Sequence, residues 1–588
     1  MTTKRKRVDA VIIGVGWSGS ILARELTKAG LSVVGLERGK MRTPEADFTL
    51  PHIRDELKYA VRQELILDPA LETLTMRHAP DETALPLRRF GAFMPGSGLG
   101  GAGTIWNGMT WRFTPFEHEL RSRIAQRYGQ SAIADELTID DWGMSYDELE
   151  PYYDRFERLC GTSGTAGNLR GELIDGGNIF EGPRQSDYPT PPLVPSHAGT
   201  LFANAASRLG YHPYPTPSAN LSREYTNPEG ATLNPTIFCG HCDRFGCATN
   251  SKASPNSTIL PILLNDKRFE LRTDSWVTQI VYDKAARKVT GVRYVDMTSG
   301  KEIEQPADIV LLCAYPFSNT KLLRLSNIGE AYDPLTGKGA VGKNYCYQVT
   351  GTVQVFCENE EINPFMATGA NAMNIDDFNG DNFDHSGLGF FGGALIFASP
   401  THGRPIMGRL TPPGTPRWGR AWKEATAKWY NHGFTIHASG ANFAHRHNYL
   451  DLDPTYRDKL GQPLVRMTYN FHDNDKKLSA FVTGKAVEIA KAMNPTVLGT
   501  PLPRRGNFHV VPYQSTHNTG GTIMGSDPKT SVVNRYLQNW EADNLFVIGA
   551  STFPQNPAHP PTGAVGALSY WAADAIINRY LKAPGSLV

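Results

Sequence analysis

Cys239, Cys242 and Cys247 crowd three thiols into the run Phe238-Cys239-Gly240-His241-Cys242-Asp243-Arg244-Phe245-Gly246-Cys247. Three thiolates on one short loop, with glycines that let it curl, can ligate a single metal centre. Zinc would need a fourth donor such as His241; free or disulfide-linked thiols are the remaining reading. Cys160, Cys313, Cys346 and Cys357 are scattered and read as buried apolar residues. Glycines spell a second chemistry. Gly14-Val15-Gly16-Trp17-Ser18-Gly19 follows the apolar run Val8–Ile13, precedes helical spacing from Ile21 to Ala29, and is succeeded by Leu31–Leu36 and the acid Glu37. Strand, glycine turn, helix, strand and acid form a dinucleotide fingerprint: Gly14 permits the turn, Gly16 the approach of a pyrophosphate, and Gly19 close helix packing. The helix N-terminus offers free amides to phosphate, and Glu37 is placed to accept hydrogen bonds from a ribose.

The tract from Pro95 to Arg112 carries five glycines up to Gly103 and a sixth at Gly108, interleaved with Trp106, Met109 and Trp111. Glycine removes side chains where a backbone must press against a flat ligand, and the aromatic residues argue against a linker.

The elements that must position these groups are those of an α/β protein. Short β-like runs (Phe269–Arg272, Val277–Tyr282, Val289–Val295) lead to Ile309–Leu312, an apolar run typical of a strand buried on both faces. Asn544–Ala550 is another, followed by an apolar helix from about Gly563 to Leu581. Asp147–Cys160 is amphipathic with helical spacing. Residues 350–500, rich in aromatic residues, Gly, Asn and His, read as a second domain whose sheet could wall a pocket; Asn442, His445 and His447 are candidate pocket residues there.

At 588 residues the chain can bury several cores. Lys plus Arg number 59 against 58 Asp plus Glu, a balance that speaks against a nucleic-acid partner. The longest nearly apolar stretch, Leu388–Ala398, is too short to span a bilayer. Lys4–Arg7 precede an apolar run that gives way at once to polar, glycine-rich sequence, which reads as a cytosolic start and not a signal peptide.

On these motifs the chain resembles the glucose-methanol-choline (GMC) family of flavoprotein oxidoreductases, and within it the flavoprotein subunits of bacterial gluconate 2-dehydrogenases and 2-ketogluconate dehydrogenases. The likeness runs through Val11–Glu37, Gly91–Asn107, Phe238–Asn256, Tyr449–Arg457, His517–Thr530 and Phe546–Asp574. It implies a Rossmann-like FAD-binding domain assembled from 1–150, 230–345 and 505–588, and a substrate domain of 151–229 and 346–504 built on an antiparallel sheet. It implies FAD contacts at Gly14, Gly16, Trp17, Ser18, Gly19, Glu37, Arg38, Gly101, Asn107, Gly108, Val277, Gly549, Ala550 and Thr562. It also implies oxidation of an alcohol by hydride transfer to flavin N5, with His517 taking the hydroxyl proton, a role that suits an imidazole of ordinary pKa ~6.5.

Two departures bear on the chemistry. The family's second active-site residue, a His or Asn just before the Pro-Thr pair that opens the last helix, is here Pro560 in Asn556-Pro557-Ala558-His559-Pro560-Pro561-Thr562. Its role falls to His559, to Asn556, or to neither. Relatives that bond flavin covalently do so through a histidine where this chain has Ile105, so FAD is expected to be non-covalent.

The resemblance further implies a 3Fe-4S cluster on Cys239, Cys242 and Cys247, a small helper subunit carrying the export signal, and a cytochrome c acceptor. The expected setting is the periplasmic side of the inner membrane, with the cytoplasm as alternative. The expected enzyme is thus an FAD-dependent dehydrogenase of a sugar, sugar acid or glycoside hydroxyl. The alternatives are an oxygen-using sugar oxidase and a flavin-bound lyase or structural protein.

Overall fold

The computed structural model describes residues 3–48, 65–88, 93, 95–399, 410–510 and 516–588; Gly91, where one resembling segment begins, lies outside them. Near the N-terminus, β1 (Val8–Ile13), α1 (Trp17–Lys28) and β2 (Val33–Leu36) realise the strand-turn-helix-strand expectation. Farther on come β3 (Phe269–Arg272), β4 (Ser275–Asp283), β5 (Lys288–Asp296) and β6 (Glu302–Leu312). They join in the order β3-β2-β1-β6-β5-β4. The half from β3 to β6 is parallel and the β6-β5-β4 half antiparallel. The length of β6 allows both: Glu302–Pro306 pairs with β5, whereas Val310–Leu312 pairs in parallel with the strand Leu545–Val547. Ala10–Ile13 and Ile309–Leu312 are buried to the last residue, as a parallel sheet covered on both faces requires.

Helix α2 (Tyr146–Cys160) starts at a Ser145/Glu148 capping box and stops at the left-handed Gly161. Its residues Tyr146, Leu149, Tyr153, Phe156 and Leu159 belong to the same core as α1 and the parallel sheet. It therefore crosses the boundary expected at residue 150 and packs with the nucleotide-binding elements.

The second large sheet is antiparallel. It contains β7 (Val349–Phe356), β8 (Met373–Ile375), β9 (Ala394–Ser399) and β10 (Gly433–Gly440). Their order is β7-β10-β9-β8, flanked by Val497–Leu498 and Tyr214–Pro215. Helix α3 (Asp473–Ala492) covers one face with Leu478, Val482, Ala486 and Ile489. The period-2 alternation of β7 sends Val353 and Val355 into that core and Thr350 and Thr352 to a cavity on the other face. Helix α4 (Thr562–Ala575) follows the last parallel strand, and its first turn meets the same cavity. Among the described residues no helix is long and apolar enough to cross a membrane.

Candidate active site

A cavity of about 730 Å³ runs between the carboxyl ends of the parallel strands and the open face of the antiparallel sheet. At one end lies the glycine turn. Gly14 has φ +90, and a Cβ on Gly19 would stand 2.0 Å from the Gly14 carbonyl oxygen, so only glycine lets α1 sit directly on the turn. No side chain caps α1, whose N-cap is Gly16. Gly16, Trp17 and Ser18 line the cavity, leaving uncapped amides to face it. Glu37 lines it too, its carboxylate accepting from the Val15 and Gly39 amides at 3.1 and 2.9 Å. Burial raises its pKa, outweighing those hydrogen bonds. An uncapped helix start beside a buried acid suits a dinucleotide and fits the FAD expectation.

Arg38, Gly101, Asn107, Val277, Gly549, Ala550 and Thr562 line the same cavity, as does Ile105. Gly19 and Gly108 do not: Gly19 acts through packing, and Gly108 (φ +95) presses on Asn220, whose amide nitrogen would stand 2.3 Å from a Cβ.

His517 lines the cavity together with Asn518, Pro560, Pro561 and Thr562. It sits at φ +63, a left-handed conformation uncommon for a residue with a side chain. Burial lowers its pKa to about 4, so the imidazole is neutral at pH 7 and able to accept a proton. Asn518 is held by two tyrosines, accepting from the Tyr345 hydroxyl at 2.6 Å and donating to Tyr315 at 2.5 Å. The start of α4 points its positive dipole end at this region.

His559, expected as a second catalytic residue, does not line the cavity. It is 2% exposed and stacks on Trp111 at 5.6 Å. Its Nε2 lies 2.9 and 3.1 Å from the two carboxylate oxygens of Asp376, and its Nδ1 lies 3.2 Å from the Arg112 carbonyl. Burial opposes its charge, but Asp376 prevails and raises the pKa. Asn556 is also turned away, donating its amide to the Tyr347 carbonyl. Pro560 itself faces the cavity. Polar groups that sequence reasoning missed are Gln348, Thr350, Thr352, His437, Ser439 and Arg504. Ser439 donates to the Ala558 carbonyl at 3.0 Å and accepts from the Gln348 amide. The alternation of β7 was the signal that could have found its pair of threonines. Asn442 instead donates to Asp475 at 3.1 Å, and His445 stacks on His472 at 3.3 Å, both away from the cavity.

The cysteine loop borders the cavity through Asp243 and Arg244. The buried Lys252 ammonium clamps it, donating to the carbonyls of Trp106, Cys242 and Phe245 at 2.5, 2.8 and 2.7 Å. The thiols have separate protein partners: Cys242 donates to Asn220 at 3.4 Å, and Cys247 lies 3.5 Å from both Thr249 and Ser251. Burial pushes Cys242 up to about 12, whereas at Cys247 the hydroxyls of Ser251 and Thr249 overcome burial and lower the pKa. Among the described residues no group of three or more His, Cys, Asp or Glu is gathered to hold a metal ion. The hydrogen bonds of Cys242 and Cys247 hold these two thiols to separate neighbours, and the expected 3Fe-4S centre finds no support in this arrangement.

Two models of the GMC oxidoreductase family match residues 141–350 and 444–569. The gluconate 2-dehydrogenase flavoprotein of Pantoea cypripedii is 47% identical over 99% of this chain and 95% of its own. The fructose dehydrogenase large subunit of Gluconobacter japonicus is 26% identical over 98% and 99%. Among solved structures, pyridoxine 4-oxidase from Mesorbium loti aligns with a TM-score of 0.57 at 15% identity over 97% of this chain and 99% of that one, a likeness of fold. The chain belongs to the GMC oxidoreductase family, and is an FAD-dependent enzyme of that family acting on alcohol-type donors.

Proposed function

We propose that the protein is a dehydrogenase that oxidises a hydroxyl of a sugar, sugar acid or glycoside to a carbonyl, with His517 as the base. The observation that carries this reading is the placing of a neutral His517 in one cavity with the start of α4 and the uncapped amides of α1. FAD, held by the glycine turn, Glu37 and the Gly549–Ala550 segment, supplies the hydride acceptor when bound. His517 takes the hydroxyl proton onto its imidazole, while the helix end favours negative charge nearby. Ser439, Gln348 and the β7 threonines supply hydroxyl and amide partners to a polyol. The relatives named for gluconate and fructose support the substrate class. The name "large subunit" of the second supports an assembly with further subunits. In this reading electrons leave for a cytochrome c partner, and a helper subunit carries the protein to the periplasmic face of the inner membrane.

The test is an absorption spectrum of anaerobically purified protein, before and after acid precipitation, followed by titration with gluconate, glucose and a glycoside. The flavin is expected in the acid supernatant, since Ile105 cannot bond it, and one of the three substrates is expected to bleach it. A flavin bleached by none of them would overturn the proposal.

A further inference from the structure

Burial alone shifts the pKa of His517, with no hydrogen bond acting on its imidazole among the described residues. Where the ring stands therefore follows from the backbone that carries it. That backbone is left-handed, at φ +63, a conformation that a residue with a side chain keeps only where its surroundings dictate it. The next residue supplies the constraint. Asn518 Nδ2 donates back across His517 to the Thr516 carbonyl at 3.3 Å and to the Tyr315 hydroxyl at 2.5 Å, while its Oδ1 accepts from the Tyr345 hydroxyl at 2.6 Å. Tyr315 follows β6 of the nucleotide-binding sheet and Tyr345 precedes β7 of the substrate-side sheet, so one amide ties this stretch of chain to both. The phenols are themselves fixed. Phe317 packs edge-on to Tyr315 at 5.3 Å and against Tyr345 at 5.4 Å, and Tyr469 meets Tyr345 at 5.4 Å. Burial raises the pKa of both tyrosines, which keeps them neutral hydroxyls beside the site. On the far side of Asn518, Thr519 and Cys346 exchange backbone hydrogen bonds at 3.0 and 3.1 Å.

We propose that Asn518 is the positioning residue of the base, holding His517 in its left-handed conformation and so aiming the imidazole into the cavity; this rests on the role given to His517 under the proposed function. A carbonyl two residues back is placed by the φ and ψ of the residue between, so a side chain that binds it closes a ring around that residue. The bond from Asn518 to the Thr516 carbonyl closes such a ring around His517. The hydroxyls of Tyr315 and Tyr345 then hold the ring against both sheets, which is the packed second layer that keeps a reacting group within the narrow tolerance of proton transfer.

The experiment is anaerobic stopped-flow flavin reduction by gluconate, glucose or a glycoside, whichever bleaches the wild type, in Asn518→Ala, Tyr345→Phe, His517→Asn and the double variant His517→Asn/Asn518→Ala. Flavin content and flavin reduction potential are read alongside. Asn518→Ala should lower the limiting rate about a hundredfold, the loss that misplacing a reacting group by ~1 Å produces, with the half-saturating substrate concentration and the potential unchanged. Tyr345→Phe removes one hydroxyl and should lower the rate about fivefold. The double variant carries the sharpest expectation: with no base left to position, it should reduce its flavin as fast as His517→Asn alone. A double variant slowed by the full further factor would overturn the proposal. So would a flavin-loaded Asn518→Ala that keeps the wild-type rate, or one whose loss lies in half-saturation or in a lowered potential. Should Asn518→Ala lose its flavin, Tyr345→Phe alone and in the His517→Asn background decides by the same comparison. His517→Asn at the wild-type rate would remove the base, and this role with it, while leaving the substrate class intact. Bleaching by none of the three compounds would remove the functional reading as a whole.

Discussion

Replacing His517 with Asn tests the catalytic argument at its base. Asn is the substitution to use because His517 holds φ +63, a conformation Asn tolerates better than most residues with a side chain. The variant thus removes the proton acceptor with little added backbone strain. Loss of a general base costs ~10²–10⁴ in the rate of flavin reduction. The pH profile carries the sharper signature. Burial holds His517 at about 4, so at pH 5.5 roughly 97% of it is neutral, against ~9% for an unperturbed imidazole. At pH 8 nearly all is neutral in either case. The ratio of kcat/KM at pH 5.5 to that at pH 8, from stopped-flow flavin reduction, should therefore be close to ~1 and not ~0.1. Rates should fall only as pH drops toward 4, and the Asn variant should lose that limb. A wild-type profile bending near 6.5, or an Asn variant that reduces its flavin at the wild-type rate, would refute the assignment.

Gly19→Ala sets a Cβ 2.0 Å from the Gly14 carbonyl oxygen; forcing α1 off the turn should cost about 1–3 kcal/mol and lower flavin content, read by thermal melting and by the ratio of flavin to protein absorbance. Asp376→Asn removes the partner of His559 and should destabilise by about 3–5 kcal/mol, measured by urea unfolding. The pH dependence of that loss has a defined sign. The folded pKa of His559 is raised, so its contribution is complete below the unfolded value of ~6.5 and is lost as pH rises through the folded value. Asp376 is held below the carboxylate range despite its burial, and its contribution is lost as pH falls through that lowered value. The Asn variant should show neither slope.

What the sequence made legible follows from how local each signal is. The turn at Gly14–Gly19 is contiguous, and its steric demand is met within one strand-helix step, so residue types alone reveal it. The strands around Ile309–Leu312 and Leu545–Val547 announce themselves because burial on both faces leaves no polar residue in the run. The cavity's far wall was only partly visible. Alternation in β7 separates Val353 and Val355 from Thr350 and Thr352, but which set meets a core depends on where α3 lands, a contact between segments more than a hundred residues apart. Arg504 lies beyond the last strands of that sheet and meets the wall by hydrogen bonding to Thr350. The three thiols make the opposite case. They are close in sequence, yet Asn220, Thr249 and Ser251 give Cys242 and Cys247 separate hydrogen-bond partners, contacts from residues that spacing along the chain does not reveal.

The segment before α4 shows why reading one residue for its neighbour fails. Pro560 occupies the cavity wall, and a catalytic His559 would require the loop to turn over. Asp376 opposes that. Its side chain is fully buried, with Tyr214 and Asn178 donating at 2.8 and 2.7 Å and His559 as its cationic partner at 2.9 Å. Moving His559 into the cavity would leave this carboxylate without its countercharge, at a cost of about 3–5 kcal/mol, more than one hydrogen bond to a substrate hydroxyl returns. The imidazole is thus committed to holding the loop onto the substrate-side sheet. Proline then fits where it stands under the proposed function, in which His517 alone takes the hydroxyl proton and the position before Pro561 needs no proton-transferring side chain.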